Sequence, residues 1–251
     1  MSVKVNIIMD GNYLLYRDVF ILKKYRSIDD LGVLMEKDYN KITKSFPFTN
    51  VYFVSDRGKS WRKSLITETY KANRKKDETL DWGMIFEEYD TLKAELAKKV
   101  NCNLYEIDGL EGDDLISYIV RQSNLEGYSN VIVASDADLQ QLLHFNLERN
   151  YINLMWNYKF NDERVYIPEY FGLFLKHLDE DDNMADIFNL SDDVEFIKYI
   201  EDLVNRTKVK EVNCEKSLFC KLVTGDPGDN IPGIIKLKAG KLDQTGQGIG
   251  E

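Results

Sequence analysis

The 251-residue sequence has little of the chemistry that soft metals and thiol enzymes need. It contains three cysteines, Cys102, Cys214 and Cys220, in no CxxC or Cys/His pattern with zinc-ligand spacing. We therefore expect them to be reduced and structural. Its two histidines, His144 and His177, lack a paired ligand spacing and an adjacent nucleophile. These residue types predict neither a zinc site nor a histidine-activated nucleophile.

Long apolar runs are also missing. No segment approaches the roughly 18 apolar residues that cross a bilayer, and the amino terminus has no basic region followed by a small-residue cleavage site. We expect no membrane partner and a cytoplasmic location. With 43% hydrophobic residues, the chain can bury a substantial core, as one large domain or as a domain with an appendage.

The charge balance is acidic but uneven. A net charge of -10 at pH 7 argues at first against a nucleic-acid partner. The segment 59–76, KSWRKSLITETYKANRKK, is nevertheless strongly basic, whereas the acids gather in short clusters. Such a segment can bind phosphate locally, particularly if a cation offsets some of the acidic charge.

Three short apolar runs end in an aspartate: VNIIMD at Asp10, VYFVSD at Asp56 and VIVASD at Asp136. They are rich in β-branched residues and apolar on both faces, which favours buried strands of a parallel sheet. Residues 103–107 are a fourth candidate strand. Because ligands bind beyond the carboxyl ends of such strands, the aspartates should face a common cleft.

The segments between these strands have helical spacing, which predicts an α/β fold with a mainly parallel central sheet flanked by helices. Beyond Asp138 the pattern changes to two paired edge strands, NYINLM and RVYI, followed by a helix-rich part over 168–223. The predicted helices cover residues 12–25, 28–46, 85–100 and 113–122.

Carboxylates are the most informative set in the chain. A single strand-end aspartate is common as a helix cap, but this many carboxylates cannot stay ionised at close range without cations. Oxygen-only sites suit Mg²⁺ or Mn²⁺, and two such ions about 3.5–4 Å apart cleave phosphodiesters. The predicted chemistry is hydrolysis at phosphorus. The set comprises Asp10, Asp56, Glu111, Asp113, Asp114, Asp136, Asp138, Asp226 and Asp229.

Six motifs occur in an order that resembles the 5′-nuclease family. They are MDGN at Asp10, VSDRGKSWR from Val54, YKANRKK from Tyr70, LEGDD from Leu110, SDADLQQL from Ser135 and GDPGDNIPG from Gly225. That family includes the flap endonucleases, the 5′-nuclease domain of bacterial DNA polymerase I and the bacteriophage ribonuclease H enzymes.

The resemblance implies a PIN-like 5′-nuclease fold with a helical arch. It divides the chain into an α/β nuclease core over 1–175, with the arch at about 61–100, and a helical part over 176–251 that carries a duplex-binding helix-three-turn-helix motif.

The resemblance also implies a role for each carboxylate, with two Mg²⁺ or Mn²⁺ ions as cofactors. Asp114 would act through metal-bound water, and Glu111, Asp113 and Asp136 would be catalytic. The first ion would be surrounded by Asp10, Asp56, Glu111, Asp113 and Asp136, and the second by Asp138, Asp226 and Asp229.

Basic residues at the base of the arch would meet the scissile phosphate. By the same resemblance, Lys71 and Arg74 would be catalytic and stabilise charge on that phosphate, and Tyr70 would stack on a base. Arg62 and Lys75 are further phosphate-contact candidates. The alternative is a solvated basic helix face.

The segment GDPGDNIPG would both bind metal and begin the helix-three-turn-helix, whose glycine-rich hairpin includes Gly248 and Gly250 and holds duplex backbone phosphates. The chain departs from the family pattern by a longer insertion, IIKLKAGKLDQTGQ, and by ending at Glu251. This departure leads us to expect an incomplete motif, from truncation, a split gene or a second polypeptide.

The expected function is a divalent-metal-dependent 5′-3′ exonuclease or flap endonuclease. Its substrates would be DNA and RNA–DNA duplexes with 5′ flaps, nicks or primers, and it would remove RNA primers in phage-like replication within the host cytoplasm. Further partners would be a single-strand-binding protein or a sliding clamp. The alternatives are a structure-specific DNA-binding protein, the inactive half of a split nuclease, and a PIN-type RNA-processing nuclease.

Overall fold

The computed structural model describes residues 4–25, 27–65, 77–146, 149, 151–159, 163–168 and 208–212. Within these ranges, apolar strands and amphipathic helices alternate along the chain up to β4, as the sequence predicts. No helix in the described ranges has the length and apolar character needed to cross a membrane.

The described strands form one eight-stranded sheet in the order β3-β2-β1-β4-β6-β7-β8, with β5 paired to β6. Strands β1, β2, β3, β4 and β6 run parallel, β5 and β7 are antiparallel to β6, and β8 is parallel to β7. The mainly parallel α/β architecture is therefore confirmed. The strands are β1 Val5–Asp10, β2 Asn50–Val54, β3 Cys102–Tyr105, β4 Ser129–Val133, β5 His144–Asn146, β6 Tyr151–Asn157, β7 Arg164–Pro168 and β8 Lys208–Val212.

Helices cover both faces of the sheet, which explains why the central strands are apolar on both sides. In β1, Ile7 and Met9 pack into one core cluster with α1, α2 and α4, whereas Ile8 points into a second cluster with α5. The helices are α1 Gly11–Tyr25, α2 Leu31–Thr43, α3 Trp61–Leu65, α4 Trp82–Leu96 and α5 Gly112–Leu125, with 3₁₀ turns at Ile28–Asp30 and Ala137–Leu142.

Side-chain caps set the starts of two helices. The carboxylate of Asp81 accepts a hydrogen bond from the backbone N–H of Met84 and so caps α4. At the start of α5, Glu111 and Asp114 form a capping box in which each side chain accepts the other residue's backbone N–H. This capping box therefore places two buried carboxylates at the amino end of α5.

An asparagine ladder crosses four neighbouring strands. In-register residues Asn50, Asn6, Asn130 and Asn153 join β2, β1, β4 and β6. Their amides donate in sequence, from Asn50 to Asn6 (3.1 Å), from Asn6 to Asn130 (3.4 Å) and from Asn130 to Asn153 (2.8 Å). The last three are almost completely buried, and their amides also donate outside the ladder, to Ser123 Oγ, Asn124 Oδ1 and the Leu142 carbonyl oxygen.

Most predicted elements are present with shifted ends. The predicted pairing of NYINLM with RVYI is confirmed as β6 and β7, but the predicted edge position is wrong, because β6 also pairs with β4 and β7 also pairs with β8. The predicted helix over 28–46 is divided, because Ser27 Oγ accepts the Asp29 N–H and closes the first turn as a 3₁₀ helix before α2 begins.

Strands β5 and β8 have no counterpart in the sequence prediction. Residues 208–212, which belong to the part predicted as helical, form a strand along β7. The rest of 169–251 lies outside the described residues, and the division of the chain at 175 stays a prediction.

Candidate metal centre

Three predicted ligands lie at one edge of the sheet because β2, β1 and β4 are parallel neighbours. Asp10 is the last residue of β1, and Asp56 and Asp136 follow the ends of β2 and β4. The pKa of Asp10 is raised to about 7, chiefly by burial and in addition by the negative charges of Asp56 and Asp136. The backbone N–H of Tyr13, which donates to Asp10 Oδ1 at 2.9 Å, opposes that rise. The three carboxylates therefore share one electrostatic environment.

A hydrogen-bond chain fixes Asp56. Asn12 Oδ1 accepts from the backbone N–H of Asp56 and from Ser55 Oγ, each at 3.0 Å. Ser55 Oγ in turn accepts from the buried Tyr89 hydroxyl at 3.1 Å. The Asp56 carboxylate accepts the Gly112 N–H at 2.6 Å, at the amino end of α5 where the helix dipole favours negative charge. This loop is thus tied to α1, α4 and α5.

The absence of a side chain at Gly112 favours this contact. A Cβ at that position would lie 3.2 Å from Asp56 Oδ1. Since the same carboxylate accepts the Gly112 N–H, a side chain here would press on Asp56, which would have to shift by a few tenths of an ångström. In the GDD sequence after Glu111, Gly112 therefore allows the Asp56 carboxylate to approach closely, and Asp114 helps to begin α5.

Glu111 and Asp114 form a separate buried acidic pair that Arg62 neutralises. The Arg62 guanidinium donates to both carboxylate oxygens of Asp114, at 2.6 and 2.8 Å, and to Glu111 Oε2 at 3.0 Å. Trp61 Nε1 also donates to Asp114 at 3.0 Å, and the guanidinium lies over the Trp61 ring. The two acids are 6% and 7% exposed, so this pairing screens a charge that would otherwise be costly to bury.

The remaining described candidates lie on the approach to the same edge. Asp136 caps the 3₁₀ turn at Ala137–Leu142, and its Oδ1 accepts the Asp138 N–H at 2.9 Å. Asp138 itself is exposed, and Asp113 is half-buried in the first turn of α5.

The donor set fits a hard divalent cation in its chemistry, because the ligands offered are carboxylate oxygens without histidine or cysteine. The negative charges of Asp56 and Asp136 raise the pKa of Asp10, and a bound cation would offset this repulsion. Within the described ranges, however, no three His, Cys, Asp or Glu side chains converge closely enough to hold an ion. Cation binding therefore requires side chains to turn inward, or ligands from elsewhere in the chain.

Several predicted site residues lie outside the described residues: Tyr70, Lys71, Arg74, Lys75, Asp226, Asp229, Gly248 and Gly250. Arg62, predicted to contact phosphate, is described and is engaged with Glu111 and Asp114. Its role toward nucleic acid stays a prediction.

The aromatic residues after the basic segment pack against the core. Trp82 and Phe86 contact the cluster formed by α1, α2 and α4. Their rings lie 5.9 Å apart, and Trp82 Nε1 donates to the backbone oxygen of Asp77 at 2.8 Å.

Sequence reasoning missed the residues that hold the ligands in place, namely Asn12, Ser55, Trp61 and Tyr89. The first three lie inside motifs that were noted, MDGN and VSDRGKSWR. For Asn12 and Ser55, a polar side chain within two residues of a strand-end aspartate was the available signal, whereas Trp61 lies five residues beyond Asp56. Tyr89 carried no such signal, since it lies in the middle of α4.

The fold and the edge together define a class of α/β protein whose carboxylates gather beyond the carboxyl ends of parallel strands. The family model for the 5'-3' exonuclease N-terminal, resolvase-like domain matches residues 5–169. The chain belongs to this family.

Three curated relatives show the extent of the likeness. Ribonuclease H of Enterobacteria phage T4 is 34% identical over 107 residues, covering 41% of this chain and 35% of that protein. A 5'-3' exonuclease of Buchnera aphidicola is 23% identical over 177 residues, covering 68% and 58%. DNA polymerase I of Caldicellulosiruptor bescii is 26% identical over 237 residues, covering 91% and 22%. The chain thus spans less than two thirds of each relative.

Among solved structures, the T5 5'-exonuclease with bound zinc ions is 21% identical to this chain. The superposition has a TM-score of 0.49 and covers 63% of this chain and 57% of that one.

Proposed function

We propose that this chain is a divalent-metal-dependent 5′ nuclease that hydrolyses phosphodiester bonds near the 5′ ends of nucleic acids. The observation that carries the proposal is the shared edge of Asp10, Asp56 and Asp136, within a segment that matches the 5'-3' exonuclease domain. Carboxylates whose charges act on one another, as those of Asp56 and Asp136 act on Asp10, serve a cation better than they serve the fold, because their mutual repulsion destabilises the folded state.

In this proposal Asp10, Asp56 and Asp136 hold a first Mg²⁺ or Mn²⁺ with help from Glu111 and Asp113, and Asp138 contributes to a second ion with Asp226 and Asp229. When bound, such ions activate a water and stabilise the leaving oxygen. The protein's own contribution is orientation. Asn12 accepts the Asp56 backbone N–H and the Gly112 N–H donates to the Asp56 carboxylate, which limits the orientations that this side chain can take.

Nucleic-acid contacts in this proposal come from the basic segment. Lys71 and Arg74 stabilise charge on the scissile phosphate, with Tyr70 stacking on a base and Lys75 and Arg62 adding phosphate contacts. Flaps, nicks and RNA primers in phage-like replication are the proposed substrates, and a single-strand-binding protein or sliding clamp the proposed partners.

The test is cleavage of 5′-labelled DNA flap and RNA-primed duplexes, with Mg²⁺ or with EDTA. We compare the natural sequence with Asp136→Asn and with Asp29→Asn, an exposed aspartate on the 3₁₀ turn Ile28–Asp30. Short 5′ products should need Mg²⁺ and persist in Asp29→Asn. In Asp136→Asn the rate should fall about 100-fold or more, because a cation supplies several kcal/mol of transition-state stabilisation. Equal rates in the two variants would refute the assignment.

A second candidate is structure-specific nucleic-acid binding without cleavage. The observation that favours it is the engagement of Glu111 and Asp114 by Arg62, which occupies acids proposed for the metal site. Under this candidate the same substrates would be bound in a gel-shift assay but not cut with Mg²⁺ or Mn²⁺.

A further inference from the structure

A cavity of about 260 Å³ lies on the sheet face that α5 covers, toward the amino ends of β1 and β2. Asn6 and Ser123 are buried polar residues in its wall. The carboxyl edge, with Asp10, Asp56 and Asp136, is at the other end of the same strands. The cavity is therefore separate from the proposed metal centre.

Several polar groups of the cavity wall have unused hydrogen-bonding capacity. The half-buried Asn50 donates once, to Asn6 at 3.1 Å, and its Oδ1 and second N–H bond no described residue. The hydroxyl of half-buried Tyr52 and the exposed side chains of Gln122 and Glu126 also bond no described residue. Polar groups that converge in a concave site without protein partners are typical of ligand-binding sites.

Aromatic rings make up much of the remaining wall. Tyr52 and Tyr105 meet edge to face, with ring centroids 5.4 Å apart, and Tyr118 and Tyr128 complete a set of four tyrosines. Such rings can stack on the planar π-system of any base. The wall thus favours a flat aromatic ligand over an aliphatic one.

The size and charge of the cavity narrow the ligand class. Drug-sized ligands fill pockets of roughly 300 Å³ and above, so 260 Å³ accommodates one ring system and its substituent. Glu126 contributes a negative charge, and the nearby Lys4 ammonium lies over the Tyr128 ring and donates to the Glu126 backbone oxygen. A free phosphate is therefore disfavoured. Amide side chains, in contrast, match the paired donor and acceptor groups of base edges.

We propose that this cavity binds a single nucleobase, presented as a neutral nucleoside. The site goes beyond the proposed nuclease function and does not depend on it. Tyr52, Tyr105, Tyr118 and Tyr128 surround the ring. Asn50 and Gln122 pair with its hydrogen-bonding edge.

The test is a saturation-transfer-difference NMR titration with adenosine, guanosine, cytidine and thymidine, and with phenol as a simple aromatic probe. Tyr52→Phe and Gln122→Ala each remove one hydrogen-bonding group. Tyr151→Phe is the matched control, because Tyr151 lies on β6 and bonds His144. Circular dichroism melts verify that each variant is folded, and Asp136→Asn reports on the metal edge.

At least one nucleoside should bind saturably, with a Kd on the order of 1 mM or below and more tightly than phenol. Tyr52→Phe and Gln122→Ala should each weaken it about 2- to 10-fold, as expected for one lost hydrogen bond, while Tyr151→Phe and Asp136→Asn leave it unchanged. The proposal is overturned if no nucleoside saturates, if phenol binds equally well, or if folded Tyr52→Phe and Gln122→Ala bind normally. Loss of binding in Asp136→Asn alone would place the nucleoside at the metal edge and would also overturn it.

Discussion

At the scale of single residues, the side chains that orient the carboxylates matter as much as the carboxylates. Asn12 is the clearest case, because one amide oxygen accepts from both Ser55 and Asp56 and so joins the loops after β1 and β2. Metal sites in general depend on such outer partners, whose loss costs about 10- to 100-fold in affinity or activity.

Replacing Asn12 by leucine removes this acceptor while keeping a similar volume. We expect the Mg²⁺ concentration for half-maximal cleavage to rise about 10-fold or more, because Asp56 is no longer held. A Mg²⁺ titration of the cleavage rate measures this. Asn12→Asp, which keeps an acceptor oxygen, should be affected less; equal effects in both variants would show that the amide oxygen is not what matters.

A second residue-scale prediction concerns Asp18, which is fully buried. Arg17 Nη1 donates to both Asp18 (2.8 Å) and Asp38 (2.6 Å), so one guanidinium serves two carboxylates. Burial raises the pKa of Asp18 to about 8, Arg17 opposes the rise, and the charge of Asp38 adds to it. The folded state therefore favours the neutral acid, and the free energy of unfolding should fall as pH rises from about 4 to about 8.

Asp18→Asn keeps the side chain neutral at every pH and removes this dependence. Relative to the natural sequence, the variant should gain about 1–3 kcal/mol of stability between pH 5 and pH 8. Urea unfolding at the two pH values measures the difference, with exposed Asp29→Asn as the control. A difference between Asp18→Asn and the natural sequence that is the same at both pH values would contradict this account.

At the scale of elements, the strands that place the site were the easiest to predict. The runs that became β1, β2 and β4 are short, β-branched and apolar on both faces, and each leads to an aspartate. Strands β5 and β8 gain their hydrogen bonds from β6 and β7. Both strands depend on these hydrogen bonds to a neighbouring strand. Their own sequences, HFN and KVKEV, therefore do not indicate a strand by themselves.

The same limit applies to the acids at the start of α5. The LEGDD motif predicts Glu111 and Asp114 as site residues, but their engagement by Arg62 depends on how α3 packs against α5. No spacing in the sequence expresses that packing. The edge shared by Asp10, Asp56 and Asp136 was predictable, because strand order in parallel sheets brings carboxyl ends together.

An element-scale prediction follows from the asparagine ladder. Asn130→Leu removes the donor to Asn153 and to Asn124 and the acceptor for Asn6. Buried partners left unpaired cost about 1–3 kcal/mol each, so the free energy of unfolding should fall by at least about 2 kcal/mol. Chemical denaturation measures this.

The matched control is Asn103→Leu on the edge strand β3, whose amide makes one long bond of 3.4 Å to the Val51 carbonyl oxygen. Its cost should be below about 1 kcal/mol. Similar losses in the two variants would mean that the ladder contributes no special stability to the pairing of the central strands.

At the scale of the whole molecule, the proposed function requires an acidic chain to bind an acidic substrate. With a net charge of -10, binding has to rely on the local basic segment 59–76 and on cations at the carboxyl edge. Affinity for a 5′-flap duplex should therefore fall as salt rises. In Lys71→Ala the slope of log K against log salt should be shallower by about 1, the value for one lost phosphate contact. Fluorescence anisotropy in Ca²⁺ measures it, and an unchanged slope would remove Lys71 from the interface.

The most direct test of the central claim is a calorimetric Mn²⁺ titration of the intact chain and of Asp136→Asn and Asp29→Asn. If the ends of β1, β2 and β4 form one cation site, the natural sequence and Asp29→Asn bind Mn²⁺ with the same affinity, and Asp136→Asn binds at least about 10-fold more weakly. Equal Mn²⁺ affinity in all three proteins, or no binding to the natural sequence, would contradict the claim that this edge of carboxylates is a metal centre.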